Sequence, residues 1–266
     1  MRFAALTAAA ALAALAFLLL PVVAIFVHTS PGHLVDQLSS PVVRDAFVVT
    51  LKTSVIAQLL ILLVGTPAAY LLATRRFPGR ALAITFVELP LVLPPAVAGI
   101  GLLAAFGRVG LLHTSIAFTQ TAVTVAVAYV ASPLYVRQAI AAFEATDPSF
   151  AAAARTLGAG PARTFFRVVL PLARGGLAAG LALSFARGLG EFGATIMFAG
   201  SLQKVTQTLP LAIYAEFDQS FDATLAMSGV LVIVSIVLLV GLRIGLGWQR
   251  STSTRSISLF GLSAST

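Results

Sequence analysis

The chain has 266 residues, of which 59% are hydrophobic and only 10% are charged, and its mean hydropathy is +1.00. Because soluble domains contain about 25% charged residues, this composition excludes a soluble globular protein and indicates an integral membrane protein. The absence of cysteine excludes disulfides, thiolate metal sites and cysteine nucleophiles. The net charge of +8 is typical of a membrane protein with basic cytoplasmic loops, and this reading is favoured over nucleic-acid binding.

Six apolar stretches are long enough to cross a bilayer, because a helix needs about 20 apolar residues to span a hydrocarbon core of about 30 Å. The first begins after Arg2 and could belong to a secretory signal peptide. It is longer than the apolar region of roughly 7–15 residues in such peptides, so a retained span is favoured. We predict an all-α polytopic membrane protein with six transmembrane helices, at about residues 4–27, 47–73, 81–106, 116–136, 176–199 and 225–247.

The basic residues predict the orientation, because arginine and lysine collect in the cytoplasmic loops of membrane proteins. With the N-terminus inside, the opposite side receives few of them: Arg44, Lys52, Arg108 and Lys204. Both termini, and the arginine-rich segment between the fourth and fifth spans, are therefore expected in the cytoplasm. We predict one transmembrane domain over residues 1–250, followed by a polar tail at 251–266 that is expected to be disordered.

The segment between the fourth and fifth spans predicts a short helix–turn–helix. Asp147 can cap a helix that has Pro148 at its first position, and Gly158 can end that helix. Pro161 can start a second helix, which Pro171 is expected to interrupt before the fifth span. Small side chains dominate the first helix, so the backbone of another protein could approach it closely.

This segment resembles the cytoplasmic loop of the permease subunits of ABC importers. Their pattern is Glu-Ala-Ala, three residues, Gly, nine residues, Ile, any residue and Leu-Pro. Aligned on the glycine, the matching residues are Ala152, Ala153, Ala154, Gly158, Val168, Leu170 and Pro171. Ala152 replaces the glutamate of the pattern and Val168 its isoleucine. The resemblance implies a coupling loop at about residues 144–174, whose short helix docks in a cleft of a separate ATPase subunit. An ordinary interfacial amphipathic helix is the alternative.

Two further stretches, residues 88–112 and 188–217, resemble the molybdate permeases, which are related to sulfate and tungstate permeases. The second contains "GEFGAT" followed by "TQTLPLAIY", a combination that is fairly specific for the molybdate group. The resemblance implies a type I ABC importer permease-like bundle with a cytoplasmic coupling helix, in the plasma (inner) membrane of a bacterium or archaeon. A permease of sulfate or tungstate is the alternative, because these anions are also tetrahedral dianions.

The same resemblance implies the partners. Two copies would form a homodimer around the pathway, two ATP-binding subunits would dock on the cytoplasmic side, and an extracytoplasmic oxyanion-binding protein would deliver the anion. ATP would be used by the partner subunit. This chain would bind no cofactor or metal and have no catalytic residue, and its sequence contains no phosphate-binding GxxxxGK[ST] loop. An ion-driven secondary transporter is less favoured, because no internal repeat is found.

Ionisable residues inside a span are costly and usually face a bundle interior or a wet path. Arg187 and Glu191 are four residues apart, near the middle of the fifth predicted span, so on a helix they share a face and can pair. Either they line the pathway, where Arg187 would meet the oxyanion, or they form a structural ion pair. The second reading is favoured, because Glu191 would neutralise much of the positive charge.

Glu88 lies in a proline-rich part of the third predicted span, together with Pro94. Prolines remove helical donors, so this span is expected to be kinked or broken. Irregular backbone at membrane depth survives only where it is buried in protein or lines a cavity. We therefore expect this span on the translocation pathway as a gate, with a merely structural kink as an equal alternative.

A polar stretch after the fifth span is expected on the outer side. Thr206, Gln207 and Thr208 could donate hydrogen bonds to an oxyanion or contact the capture protein. Packing within the loop explains each of these residues equally well.

Overall fold

The structure is a computed structural model that describes residues 2–29, 32, 36, 39–113 and 115–257. This part of the chain contains helices and no strand. The helices are α1 (Arg2–His28), α2 (Pro41–Thr74), α3 (Arg80–Val92), α4 (Pro95–Phe106), α5 (Gln120–Glu144), α6 (Pro148–Thr156), α7 (Pro161–Thr164), α8 (Leu170–Leu189), α9 (Gly193–Ala199), α10 (Leu209–Glu216) and α11 (Phe221–Ile257). A π-helical turn, Phe165–Val169, joins α7 to α8.

Four helices in the described residues are long and apolar enough to cross a membrane: Ala5–His28, Pro41–Thr74, Gln120–Glu144 and the continuous helix Pro161–Leu189. α3 and α4 taken together are also long and apolar enough to form one span, but the two helices are bent by 113° at the break between them. α11 covers the sixth predicted span, but its apolar stretch within the described residues, Phe221–Val237, is shorter. The all-α membrane architecture is confirmed, whereas the described residues show four or five spans instead of six.

Pro94 and Pro95 break the third predicted span, as the sequence predicted. The residue before a proline is pushed out of the α region, and proline itself has no N–H to donate. Leu93 (φ −64°, ψ 134°) and Pro94 (φ −54°, ψ 132°) are accordingly extended, and α4 restarts with Pro95 at its first position. The sharp bend makes α3 and α4 two short helices.

The prediction that Pro171 interrupts the helix is wrong. The π turn lies directly before α8, and Leu170 N donates to Phe165 O across it. Pro171 is the second residue of α8, where the hydrogen-bond pattern changes from π to α, so its missing N–H is accommodated. The fifth predicted span, residues 176–199, is therefore replaced by a helix that begins at Pro161 and ends at Leu189.

α5 is longer than the fourth predicted span at its C-terminal end. Thr119 caps its start, where the side-chain oxygen accepts a hydrogen bond from Ala122 N (3.3 Å). The helix continues beyond residue 136 to Glu144, so Arg137, which follows the predicted span, also lies in the helix. Its charged side chain is tolerated there because it pairs with a carboxylate of α3, described below.

The chain divides into two compact units, and the larger comprises the described residues of Leu51–Gly200 and Val237–Thr266. α5 is at the centre of this unit, because its buried residues belong to two apolar clusters. The first cluster joins α5 to α2 and α8 and includes Ile61, Leu72, Ala131, Tyr135 and Leu177. The second joins it to α4 and α9 and includes Ala98, Leu102, Val127, Val130 and Phe198.

Small residues let α8 approach α5 closely. They recur every four positions along α8, at Gly176, Gly180, Ser184 and Gly188. A Cβ atom built on Gly176 would lie 2.5 Å from Cβ of Ala142, and one built on Gly188 would lie 2.9 Å from Cγ1 of Val127. This spacing of small residues is the usual way in which membrane helices pack at short distance. It fixes α8, and the helical segment that precedes it, against α5.

The smaller unit comprises the described residues of Met1–Thr50 and Ser201–Ile236. Thr50 links two of its helices, because its Oγ1 donates to Ala46 O (2.7 Å) and accepts from Leu209 N (2.8 Å). That second bond satisfies a donor at the start of α10, where no helical carbonyl is available. The buried apolar residues around it are Val43, Ala46, Leu209, Ala212 and Met227.

α11 continues through residues 251–257, where the sequence predicted a disordered tail. Adding residues to an existing helix costs far less than starting one, so an apolar helix can extend into a polar sequence. The remaining residues of the predicted tail, 258–266, lie outside the described residues.

α4 and α9 pack backbone to backbone at two glycines. A Cβ atom built on Gly99 would lie 2.5 Å from Ala194 O, and one built on Gly193 would lie 2.7 Å from Cβ of Pro95. Any side chain at either position must displace its neighbour. The contact therefore joins the proline break to the segment that follows α8.

We expect Gly99→Val to destabilise the protein by about 1–3 kcal/mol, the usual cost of overpacking. The matched control is Gly101→Val in the same helix, where nothing lies within 4 Å of a built Cβ atom. Thermal unfolding of the detergent-purified variants, followed by fluorescence-detected size-exclusion chromatography, measures the difference. Equal Tm values for the two variants would contradict the close packing of α4 on α9.

Candidate functional site

The short helix α6 is built as the sequence predicted. Asp147 caps it, because its Oδ1 accepts a hydrogen bond from Ser149 N (2.8 Å), and Pro148 occupies the first position. The backbone and side-chain hydrogen bonds from Ser149 hold the pKa of Asp147 below its usual range. The cap therefore contributes stability above the unfolded-state pKa and loses it as the pH falls through the lowered pKa. Gly158, with φ of 82°, follows the helix in the left-handed conformation that favours glycine.

α6 presents its side chains outward, and none of its residues is buried. Phe150 is 54% exposed, and Leu157, at the C-terminal cap, is 88% exposed. Residues seven apart share one face of a helix, so these two large apolar side chains form one unpartnered stripe. Neither residue is among the predicted site residues, although their spacing of seven is visible in the sequence.

The residues that match the permease loop pattern fall on two neighbouring elements. Ala152, Ala153 and Ala154 lie on α6, and Gly158 ends it. Val168, Leu170 and Pro171 lie on the π turn and the first residues of α8.

An aromatic cluster holds the π turn against α2 and α5. The ring of Phe165, in the π turn, lies 4.7 Å from that of Tyr70 on α2 and 6.2 Å from that of Phe143 on α5, centroid to centroid. Thr164 is buried, and its Oγ1 donates to Gly160 O (3.1 Å). The segment between α6 and α8 is therefore packed and hydrogen-bonded. α6 itself contacts the long helices through Ala151, which packs against the first apolar cluster.

Arg187 and Glu191 form an ion pair at the end of α8. Nη1 of Arg187 lies 2.7 Å from Oε2 of Glu191, whose side chain is 1% exposed, whereas that of Arg187 is 33% exposed. The pair was expected near the middle of one helix. The helix instead ends at Leu189, and Glu191 lies in the turn before α9.

Glu191 also caps α9. Its Oε1 accepts a hydrogen bond from Ala194 N (2.8 Å). Its Oε2 has no well-aligned hydrogen-bond donor among the described residues, so the contact with Arg187 is chiefly electrostatic. A buried carboxylate held by both a helix start and a guanidinium favours the structural reading of this pair.

Glu88 is also paired, which the sequence analysis did not predict. Its Oε1 lies 3.0 Å from Nε of Arg137 on α5. A second pair joins the same two helices with the charges exchanged, so that α3 carries the arginine and α5 the glutamate. Nη2 of Arg80 lies 2.6 Å from Oε1 of Glu144. α3 is therefore held to α5 by two ion pairs of opposite polarity, both partly exposed. Only the tertiary structure brings these residues together.

The polar residues Thr206, Gln207 and Thr208 are buried. Thr206 Oγ1 accepts a hydrogen bond from Leu202 N (2.9 Å). Thr208 precedes α10 as its N-terminal cap residue. Buried side chains are not available to a protein that approaches from outside, so their positions favour loop packing. No group of His, Cys, Asp or Glu side chains that could hold a metal ion is found among the described residues.

Comparisons with known proteins agree with this architecture. Residues 61–248 match the family model described as the binding-protein-dependent transport system inner membrane component. The chain is 40% identical over 248 residues to the molybdenum transport system permease protein ModB of Mycobacterium tuberculosis, covering 89% of this chain and 93% of that protein. It is 42% identical over 178 residues to ModB of Escherichia coli, covering 64% of this chain and 78% of that protein.

Among solved structures, an inward-facing MetNI methionine ABC transporter matches with a TM-score of 0.61. Sequence identity is 20%, and the match covers 77% of this chain and 94% of that one. This likeness shows the type I ABC importer permease fold. Together with the family match, the apolar helices show a multi-pass protein of the inner membrane. Because the family model covers most of its length, the chain belongs to the binding-protein-dependent transport system inner membrane components, the permease subunits of ABC importers.

Proposed function

We propose that this permease imports molybdate, driven by ATP that a separate subunit hydrolyses. The two ModB relatives named above are molybdenum transport permeases, and one of them aligns over nearly the whole chain. The observation that supports ATP coupling is α6, a short capped helix with no buried residue and an apolar stripe, followed by a segment that packs on α2 and α5. Such a helix can transmit a push from a bound protein, because the segment behind it is packed.

The assembly that follows has several partners. Two copies of the chain enclose the pathway, two ATP-binding subunits seat on the two α6 helices, and an extracytoplasmic oxyanion-binding protein delivers the anion. Both termini and α6 lie in the cytoplasm, which agrees with the arginines concentrated between α5 and α8. The chain itself binds no cofactor.

The pathway is proposed to pass the proline break. Pro94 forms the corner between α3 and α4, and the packing of Gly193 on Pro95 brings this corner close to Glu191 and Arg187. The Glu88–Arg137 pair is partly exposed, and charged side chains in spans rarely face lipid. We therefore assign its exposed side to the wet pathway. Each arginine named here is balanced by a carboxylate, so a passing dianion would be held only weakly and could leave.

Reconstituted vesicles test the proposed function directly. Permease, ATP-binding subunit and binding protein together should give ATP-dependent uptake of molybdate, measured by mass spectrometry of the vesicle contents. Omission of the ATP-binding subunit should reduce uptake to background. Competition with tungstate and sulfate measures the anion preference. Uptake driven by an ion gradient without the ATP-binding subunit would contradict the proposal.

Leu157→Asp should weaken binding of the ATP-binding subunit by at least about tenfold, since it would bury an unpaired carboxylate in the contact. Leu111→Asp is the matched control, because Leu111 is 85% exposed and lies in the connection between α4 and α5. Affinities measured by biolayer interferometry with detergent-purified permease separate the two. Similar affinities for both variants would exclude α6 as the docking helix.

Gly158→Val should reduce ATP-dependent uptake strongly while leaving the protein in the membrane. A left-handed conformation costs about 1–2 kcal/mol for an ordinary residue, and more for a β-branched one. Gly160→Val is the control, because Gly160 has φ of −67° and, like Gly158, has nothing within 4 Å of a built Cβ atom. Equal uptake by the two variants would show that the turn after α6 is not needed for coupling.

A further inference from the structure

A half-polar cavity of about 440 Å³ lies beside α6, at the ends of α2 and α5. Two arginines line it: Arg75, which follows α2, and Arg155, in the last turn of α6. No ion pair joins either guanidinium to a carboxylate within the part of the chain that the structure describes. Both residues are exposed, so another protein can reach their side chains.

Ala152 lines the same cavity at the position where the loop pattern of the permeases carries glutamate. A glutamate there would be three residues before Arg155, a spacing at which side chains on a helix can pair. Alanine leaves Arg155 without that carboxylate and leaves space in the cavity.

The other polar groups of the cavity do not balance the two arginines. The hydroxyls of Thr74 and Thr146 already donate to the backbone carbonyls of Tyr70 (2.7 Å) and Ala142 (3.1 Å). Asp147 contributes one negative charge, and its Oδ1 is engaged by Ser149 N at the start of α6. Two positive charges and one negative charge leave a net charge of +1. A single carboxylate would neutralise it.

We infer that this cavity receives an aspartate or glutamate side chain of the ATP-binding subunit. The inference rests on the proposed function. With 3.6 residues per turn, Ala152 and Arg155 lie on the side of α6 opposite to Phe150 and Leu157. The ATP-binding subunit therefore contacts both sides only if its docking cleft encloses α6. Guanidinium groups bind carboxylates through paired, charge-assisted hydrogen bonds. In this docking contact the permease therefore supplies the arginines, and the ATP-binding subunit supplies the carboxylate.

Charge reversal tests the inference. Arg155→Glu should weaken binding of the ATP-binding subunit at least about tenfold, because it replaces an attraction by a repulsion in a covered site. Arg76→Glu is the matched control: it makes the same change of charge beside Arg75, but Arg76 does not line the cavity. It should change the affinity by no more than about threefold, as expected for an exposed charge. Arg155→Lys keeps the charge and should give an intermediate affinity.

Rescue identifies the acidic partner. Each exposed Asp and Glu on the docking surface of the ATP-binding subunit is changed to Arg, and one such variant should restore binding to Arg155→Glu. Monodisperse size-exclusion profiles of the permease variants establish that they remain folded.

The other outcomes overturn the inference in distinguishable ways. If the wild-type chain does not bind the ATP-binding subunit, the proposed function and the inference fail together. If Leu157→Asp weakens binding but Arg155→Glu and Arg76→Glu behave alike, the proposed function stands and the cavity has no acidic partner. If Arg155→Glu keeps subunit binding but loses binding to phosphatidylglycerol vesicles relative to phosphatidylcholine vesicles, the cavity holds a lipid headgroup instead.

Discussion

The close contact between α5 and α8 is the constraint on which the larger unit depends. Glycines on α8 allow the two backbones to approach, because any side chain at Gly176 or Gly188 would collide with α5. In a bilayer the hydrophobic effect does not drive helices together, so such van der Waals packing must supply the cohesion. α5 also carries the apolar clusters that hold α2, α4 and α9. α7, the π turn and α8 form one continuous helix, Pro161–Leu189, which follows α6 after the turn at Gly158.

Charge balance is the second constraint, because an unpaired charge at membrane depth is costly. Two ion pairs hold α3 to α5, and a third joins the end of α8 to the turn before α9. The Arg187–Glu191 pair lies at an irregular feature, the turn that follows α8. It therefore stabilises the place where that helix ends. Among the described residues, Arg75 and Arg155 beside α6 are exposed and form no ion pair.

The candidate site was only partly readable from the sequence. α6 was predictable from Asp147, Pro148 and Gly158, because helix caps and left-handed glycines act through local backbone geometry. The partner of Glu88 was not predictable, because Arg137 is remote in the sequence and lies outside the fourth predicted span. The burial of Thr206 was not predictable either, because the sequence does not show whether its hydroxyl forms hydrogen bonds with water or with the backbone of its own loop.

Local signals thus determined the membrane class, the apolar helices, the proline break and the short capped helix, since each depends on residues close together in the chain. The tertiary structure alone decided where α8 begins and ends, which charges are paired and which arginines stay open beside α6. It also showed that Pro171 is accommodated by a π turn. These features depend on the distances between helices. A helix tolerates a proline or a charged residue only when its surroundings compensate for the missing hydrogen bond or the unpaired charge.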